Sequence, residues 1–203
     1  MIELDTPYLT PKGDVLKIYL EDYPLSPRDD RFLYNVTKIV TDETFYSSPD
    51  ENPFDTMLEL LTELRKPKSN YVWDYVSRYE HGEVIYKRGR HDDWDSCTCG
   101  VIFAHKDDIR EMYNVKKISR KVTDAIIERF DYDLEEYTNY VNGYVCRYEL
   151  FDMDGKLIDD CHGFYLGVQD VLDYLGLQES ELEQLNEIKE VKIRFEKKGE
   201  KTL

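Results

Sequence analysis

The segment 143–167 alternates aromatic or β-branched residues with polar ones on both sides of an Asp-Gly pair. Such alternation around Asp-Gly predicts a β-hairpin, because glycine readily adopts the positive φ that tight turns require. Successive side chains of a strand point to opposite faces. One face of the first strand therefore carries Tyr144, Cys146, Tyr148 and Leu150.

The register of this hairpin depends on the length of its loop. A two-residue turn at Asp154-Gly155 places Ile158 opposite Phe151. A three-residue loop closed by Gly155, with a bulge, instead places Ile158 opposite Leu150.

We favour the three-residue loop on the grounds of cross-strand pairing. It places Asp152 opposite Lys156, and oppositely charged cross-strand pairs stabilise a sheet. The same register places His162 near Cys146. A hairpin of this kind predicts positive φ at Gly155.

The remaining apolar pattern predicts a mixture of strands and helices. Strands are predicted at 15–20, 83–86, 101–105 and 190–195. Helices are predicted at 52–65, 71–79, 106–113, 120–130, 134–140, 168–175 and from Ser180, with apolar positions Leu182, Leu185 and Ile188. Asn52 before Pro53, and Ser119, are typical helix N-caps. Gly176 is expected to end the helix 168–175.

Strands and helices do not alternate strictly along this chain, which favours an α+β fold over a doubly wound sheet. We expect an antiparallel sheet with the hairpin 144–165 at its centre, packed by several helices. A chain of 203 residues can form one well-cored domain, so we expect a single domain 1–203. A divergent helical insertion is expected at about 41–82.

The formal net charge of −16 is the strongest compositional feature. Such a charge opposes binding to nucleic acid or anionic membrane and favours a basic partner. No apolar run reaches the length of a membrane span, and no leader follows Met1, so we expect a cytoplasmic protein of the host cell. Four cysteines in such a chain do not indicate a disulfide framework.

Acidic residues are concentrated between Glu128 and Asp160. This segment contains ten acidic and three basic residues, and tyrosines lie among the acids. Carboxylates spread over a rigid surface can imitate the phosphates that a DNA-binding protein contacts. The predicted partner-binding residues are Asp131, Tyr132, Asp133, Glu135, Glu136, Tyr137, Asp159 and Asp160. The alternative is that the tyrosines face the core while the acids face water.

Two groups of residues could carry metal chemistry. Cys97, Cys99, Cys146, Cys161 and His162 would suffice for a tetrahedral zinc site, but the Cys-x-Cys spacing is unusual and free thiols are expected. A Cys146–His162 nucleophile–base pair lacks a third group. We expect neither a metal nor a cofactor.

The second group is the run His91-Asp92-Asp93-Trp94-Asp95. Carboxylates beside an imidazole can hold a divalent ion for phosphodiester hydrolysis, which makes Asp92, Asp93 and Asp95 candidates for a metal-dependent hydrolase. We could identify no further carboxylates that converge on this run, so a solvated acidic loop is the expectation.

Three blocks of the chain together resemble a group of phage and mobile-element proteins of Gram-positive hosts that have no assigned function. The opening block carries Lys17-Ile18-Tyr19, Pro24 and Pro27-Arg28-Asp29. The central block carries Trp94-Asp95-Ser96, Gly100-Val101-Ile102-Phe103, Asp108-Ile109-Arg110, Tyr113 and Lys117-Ile118-Ser119. The closing block is Asn142–Tyr165, ending Asp160-Cys161-His162-Gly163-Phe164-Tyr165. The resemblance covers roughly residues 1–35 and 90–170, and Cys97-Thr98-Cys99 departs from it.

This resemblance implies a genetic context rather than an activity. Small acidic proteins of phages and conjugative elements often counter host defence. We therefore expect a non-enzymatic inhibitor of a host defence nuclease, of anti-CRISPR or antirestriction type, that binds the nucleic-acid-binding surface of the nuclease by DNA mimicry. The alternatives are the metal-dependent hydrolase at Asp92, Asp93 and Asp95, and a regulatory module of the element that dimerises through an exposed strand edge.

Overall fold

A computed structural model describes residues 2–29, 35–43 and 46–185. The strands are β1 (Pro7–Leu9), β2 (Val15–Leu20), β3 (Thr37–Thr41), β4 (Tyr71–Glu80), β5 (Val84–Arg88), β6 (Ser96–His105), β7 (Cys146–Phe151), β8 (Leu157–Phe164) and β9 (Glu183–Gln184). The helices are α1 (Met57–Leu64), α2 (Lys106–Met112), α3 (Arg120–Val141) and α4 (Val168–Leu175). The α+β fold with antiparallel sheets is confirmed.

The chain divides into two compact units. Unit 1 combines Met1–Leu25 with Gly143–Leu203, and unit 2 is Ser26–Asn142. Each unit has its own antiparallel sheet and its own apolar clusters. In the described residues, no helix is both long enough and apolar enough to cross a membrane.

Unit 1 is a five-stranded sheet in the order β8-β7-β2-β1-β9. The predicted face of β7 is buried, with Cys146 and Tyr148 packed against Val171 and Leu172 of α4. Gly176 ends α4 in the left-handed conformation, as predicted. The hairpin is confirmed, but it forms one side of the sheet instead of its centre, because β2 pairs with the other edge of β7.

The loop of the hairpin has the predicted length. The Asp152 N–H donates to the Lys156 carbonyl at 2.9 Å, and Gly155 has a φ of 78°. The predicted pairing of Ile158 with Leu150 is wrong, because the register shifts between Leu150 and Phe151. Asp159 therefore lies opposite Leu150.

A second register shift between Cys146 and Tyr148 overturns the other expected pairing. Phe164 lies opposite Cys146, and Cys161 lies opposite Tyr148. The prediction that His162 lies near Cys146 is therefore wrong. Both errors arise because bulges, which change the pairing by one residue, leave little trace in an alternating sequence.

Unit 2 is a four-stranded sheet in the order β3-β6-β4-β5, with apolar clusters on both faces. On one face, Ile102 of β6 belongs to the same cluster as Phe130 of α3. On the other face, Val101 and Phe103 cluster with Leu60 of α1. The second half of β6, from Val101 to Ala104, is buried on both faces, which explains its continuous apolar sequence.

The predicted helix at 71–79 is wrong, because this segment is β4 in the interior of the sheet. Its residues alternate between the two faces. Trp73 and Tyr75 pack on the α1 side, whereas Val72 and Val76 pack on the α3 side. Aromatic and β-branched residues favour strands, so the apparent helical spacing was accidental. The expected helical insertion at 41–82 therefore contains one eight-residue helix and a ten-residue strand.

Three other helix predictions require correction. α1 begins after Thr56, which forms a capping box with Glu59, while Asn52 accepts a hydrogen bond from the Phe54 N–H. The two helices expected at 120–130 and 134–140 are the single helix α3, capped by Ser119 as predicted. The helix expected from Ser180 is a short 3₁₀ turn followed by β9. Ile188 and 190–195 lie outside the described residues.

Candidate partner-binding face

The solvent side of α3 carries a stripe of carboxylates. Asp124, Glu128, Asp131 and Glu135 are all exposed, and their spacing of four, three and four residues places them on one side of the helix. The stripe extends over about 16 Å at about 1.5 Å per residue. The opposite side of α3 is apolar and buried, with Ile126, Phe130, Leu134 and Tyr137.

Two members of this acidic stripe are partly compensated by arginines. The Arg88 guanidinium contacts both oxygens of Asp131, at 2.8 Å and 3.0 Å. Asp124 lies 4.0 Å from Arg120 Nε. Glu128 and Glu135 form no ion pair with any residue that the structure describes. The stripe therefore retains free negative charge.

A groove of about 330 Å³ lies between β5 and α3, beside the acidic stripe. Its wall includes Asp131 and Glu135 from the stripe, Leu134 from the inner side of α3, and His91. His91 begins the acidic run, so this groove joins that run to the helix.

The acidic run 91–95 presents a fully exposed aromatic ring. Trp94 is 98% exposed between Asp93 and Asp95. The loop is held in place by hydrogen bonds, since the His91 N–H donates to Ser77 Oγ at 2.8 Å and Asp92 accepts from the Thr98 N–H at 2.9 Å. Hydrogen bonds from the backbone and side chain of Thr98 lower the pKa of the Asp92 carboxyl. An exposed indole is an effective anchor for a protein partner.

Two of the predicted partner-binding residues are buried, so their expected surface position is wrong. Tyr137 packs against Tyr86 in the core, with ring centroids 5.3 Å apart. Asp133 is 1% exposed and lies 2.6 Å from Arg129 Nε and 3.5 Å from Arg28 Nη1. These two side chains hold unit 2 together and cannot contact a partner.

Glu136 is also largely withdrawn from water. Burial raises the pKa of Glu136 to about 7, against the partly offsetting effect of Arg129. The Arg129 guanidinium lies 3.7 Å from Glu136 and stacks 4.8 Å from the ring centroid of Tyr132. From the predicted segment 131–137, the structure therefore leaves Asp131 and Glu135 on the exposed stripe.

The last two predicted residues, Asp159 and Asp160, belong to unit 1 and are exposed on β8. Asp159 accepts a hydrogen bond from the Tyr148 hydroxyl at 2.5 Å. Asp160 lies 3.8 Å from His162 Nε2. Sequence reasoning missed Asp124 and Glu128, although their helical spacing to Asp131 and Glu135 was a usable signal.

The structure divides the candidate zinc ligands between the two units: Cys97 and Cys99 lie on β6, whereas Cys146, Cys161 and His162 lie in unit 1. Burial raises the pKa of the Cys99 thiol, and that of Cys146 to about 11, so both stay protonated near neutral pH. Across residues 2–29, 35–43 and 46–185, no group of three or more His, Cys, Asp or Glu side chains could hold a metal ion. Asp92, Asp93 and Asp95 lie within these residues.

Comparisons of the chain with protein-family models, with curated proteins and with solved structures found no match. The resemblance to phage and mobile-element proteins therefore stays a prediction. Function is inferred from the geometry and charge of the α3 stripe, the adjoining groove and the Trp94 loop.

Proposed function

We propose that the protein is an acidic, non-enzymatic accessory protein of a phage or mobile element, and that it inhibits a host defence nuclease. It binds the basic, nucleic-acid-binding surface of a restriction- or CRISPR-type nuclease. The observation that carries this proposal is the exposed carboxylate stripe Asp124, Glu128, Asp131 and Glu135 on a rigid helix.

The charge density of the stripe supports an imitation of nucleic acid. Its carboxylates follow one another at about 5.5 Å along the axis, against about 3.4 Å per phosphate along one DNA strand. The stripe alone is therefore less dense than DNA. Asp92 and Asp93, in the run that the groove joins to the helix, supply further negative charge.

Charge alone would not give tight binding, because one exposed ion pair contributes about 0.2–1 kcal/mol. Several pairs must act together with a buried apolar contact. Trp94, exposed within the acidic run, is the side chain best placed to supply that contact.

The test is a charge reversal confined to exposed residues. Asp124→Lys, Glu128→Lys and Glu135→Lys together should slow association with the nuclease, weaken the complex and restore DNA cleavage. Asp131 is left unchanged because it holds Arg88. The matched control reverses Asp42, Glu51 and Asp55, three exposed acids on loops of unit 2.

Both triple variants change the net charge equally, so a difference between them reports the position of the charges. Binding to the nuclease should weaken with salt, and added DNA should compete for the same surface. Equal loss of inhibition by both variants, or an affinity insensitive to salt and DNA, would contradict the proposal.

A second candidate function, a module that dimerises through a strand edge, is favoured by one observation. β8 is an edge strand of the unit 1 sheet, and its Leu157 and Ile158 are 46% and 49% exposed. Exposed apolar edges tend to pair with other chains. Light scattering across micromolar concentrations tests this, and a monomer throughout would count against it.

A further inference from the structure

One face of β4 carries a row of aromatic side chains that α1 covers only in part. Trp73 and Tyr75 lie at the margin of the apolar cluster beneath α1, with ring centroids 5.1 Å apart. Tyr79 follows on the same face, because side chains two positions apart on a strand point the same way. All three side chains are half-buried, so each keeps part of its surface exposed to solvent. We call Trp73, Tyr75 and Tyr79 the aromatic row.

Three cations from separate segments converge on this row. The guanidinium carbons of Arg65, at the end of α1, and of Arg90, after β5, lie 5.8 Å and 5.0 Å from the centroid of the Tyr75 ring. Arg65 also donates to the Tyr75 hydroxyl at 2.7 Å. The Lys87 ammonium lies 5.8 Å from the centroid of the Tyr79 ring. Contacts of this kind hold the charged groups in place before a ligand arrives.

The segment that carries Arg90 is fixed where it crosses β4. The Gly89 N–H donates to the Tyr75 carbonyl at 2.7 Å, and the His91 N–H donates to Ser77 Oγ at 2.8 Å. The Ser77 hydroxyl in turn donates to the Gly89 carbonyl at 2.8 Å. Arg90 therefore extends over the aromatic row from a backbone that hydrogen bonds hold on both sides.

The cations leave the aromatic row positively charged. Arg65 and Lys87 form no ion pair with any residue that the structure describes. Arg90 lies 3.8 Å from Asp92, which also accepts a hydrogen bond from the Thr98 N–H. Three cations against one carboxylate favour an anionic ligand.

Two other sources of negative charge lie away from Tyr75. The Asp95 carbonyl accepts from the Glu80 N–H at 3.0 Å, and Glu80 is about 16 Å along β4 from Tyr75. The acidic stripe lies on the outer side of α3, over the opposite face of the sheet. A helix with its side chains is about 10–12 Å thick, whereas the Debye length is about 8 Å at physiological ionic strength. The negative net charge of the chain is therefore largely screened at Tyr75.

We propose that the aromatic row and its three cations bind a single-stranded nucleic acid. The guanidiniums of Arg65 and Arg90 contact phosphate groups, and bases stack on the exposed parts of Trp73 and Tyr79. A duplex is excluded because its bases are already stacked on one another. This inference goes beyond the proposed function, since it gives the chain a direct nucleic-acid contact on the sheet face opposite to the acidic stripe.

The experiment uses the full chain and a fluorescein-labelled oligothymidine of about ten nucleotides. Fluorescence anisotropy gives Kd for the unchanged chain, for Arg65→Gln with Arg90→Gln, and for Lys116→Gln with Lys117→Gln. The lysine pair is the matched control, because both lysines are exposed elsewhere in unit 2 and their loss changes the net charge equally. The unlabelled competitors are the same oligonucleotide, its duplex with oligoadenosine, and polyglutamate.

Oligothymidine should bind the unchanged chain, and the arginine pair should raise Kd about tenfold, against about twofold or less for the lysine control. Raising the salt from about 50 mM to about 200 mM should raise Kd of the unchanged chain about seven- to eighteenfold, as expected for two or three phosphate contacts. If the arginine variant fails to fold, Lys87→Gln, at an exposed position, tests the same row and should raise Kd about two- to fivefold.

A second readout reports stacking rather than charge. In a Trp94→Phe chain, Trp73 is the one remaining tryptophan, so unlabelled oligothymidine should quench its emission. Substituting Arg65 and Arg90 as well should abolish this quenching at the same oligonucleotide concentration.

Equal losses from the arginine and lysine variants, or binding without quenching of Trp73, would overturn the proposed site. Displacement by the duplex or by polyglutamate as effective as by oligothymidine would refute the recognition of single strands. No nuclease is present in these measurements, so they are decided independently of the proposed inhibition.

Discussion

Asp133 is a buried carboxylate of unit 2, and its replacement by asparagine tests how much its ion pairs stabilise this unit. Its oxygens contact Arg129 Nε at 2.6 Å and Arg28 Nη1 at 3.5 Å, and one also accepts from the Thr37 hydroxyl. Arg28 in turn lies 2.9 Å from the buried Asp50. The cluster links the segment before β3, β3 itself and α3.

Asp133→Asn preserves the side-chain volume and removes one negative charge from this cluster. Breaking a buried ion pair costs about 3–5 kcal/mol, because the remaining partner stays buried without compensation. Arg28 keeps Asp50 as a partner, and Arg129 is partly exposed to water. We therefore expect a loss near the lower end, about 3 kcal/mol of the free energy of unfolding.

Tryptophan fluorescence reports unit 2 selectively, because Trp73 and Trp94 are the two tryptophans of the chain and both lie within Ser26–Asn142. Urea unfolding followed by this signal gives the midpoint and slope for unit 2. The matched control is Asp124→Asn, the same chemical change at an exposed position of the same helix. It should alter stability by about 0.5 kcal/mol or less.

A double-mutant cycle with Arg28→Met separates the ion pair from general disturbance of the core. Once the guanidinium is absent, Asp133→Asn should cost less, with a coupling energy of about 1 kcal/mol or more. Equal losses from Asp133→Asn and Asp124→Asn, or an additive cycle, would refute the reasoning.

Three further predictions concern single residues. The pKa of Glu136 is raised from 4.5 to about 7 in the folded state, so the folded state binds more protons than the unfolded state between these pH values. The free energy of unfolding should therefore fall as the pH rises from about 4.5 to about 7. Glu136→Gln should make the urea midpoint less dependent on pH over this range. A Cβ on Gly100 would lie 2.2 Å from the Val40 carbonyl oxygen, so Gly100→Ala should cost about 1–3 kcal/mol. A melting temperature of Gly100→Ala equal to that of the unchanged protein would contradict this close approach. Gly155→Val, at a φ of 78°, should cost about 1 kcal/mol or more, whereas an unchanged melting temperature would contradict the turn geometry.

Local patterns predicted the elements whose signals are short-range. The Asp-Gly loop, the strand β2 and the stop of α4 at Gly176 follow from turn chemistry, alternation and C-capping respectively. Each of these depends on residues within a few positions of one another. Their agreement with the structure shows that local preference and tertiary packing coincide there.

The failures concern pairings between distant segments. The strand β4 resembles an amphipathic helix until β5 and β6 are placed on either side of it. The division into two units depends on Met1–Leu25 joining the residues after Gly143, which no local pattern contains. Bulges in the hairpin likewise become visible only when both strands are present.

The acidic segment of α3 shows why composition alone could not define the candidate site. Side chains two positions apart on a helix point about 200° apart around its axis, so Asp131 faces water while Asp133 faces the core. Reversing every acid of 131–136 would therefore unfold unit 2, and loss of inhibition would say nothing about mimicry. Substituting Asp124, Glu128 and Glu135 keeps the buried cluster intact, so any change in nuclease binding can be assigned to the surface.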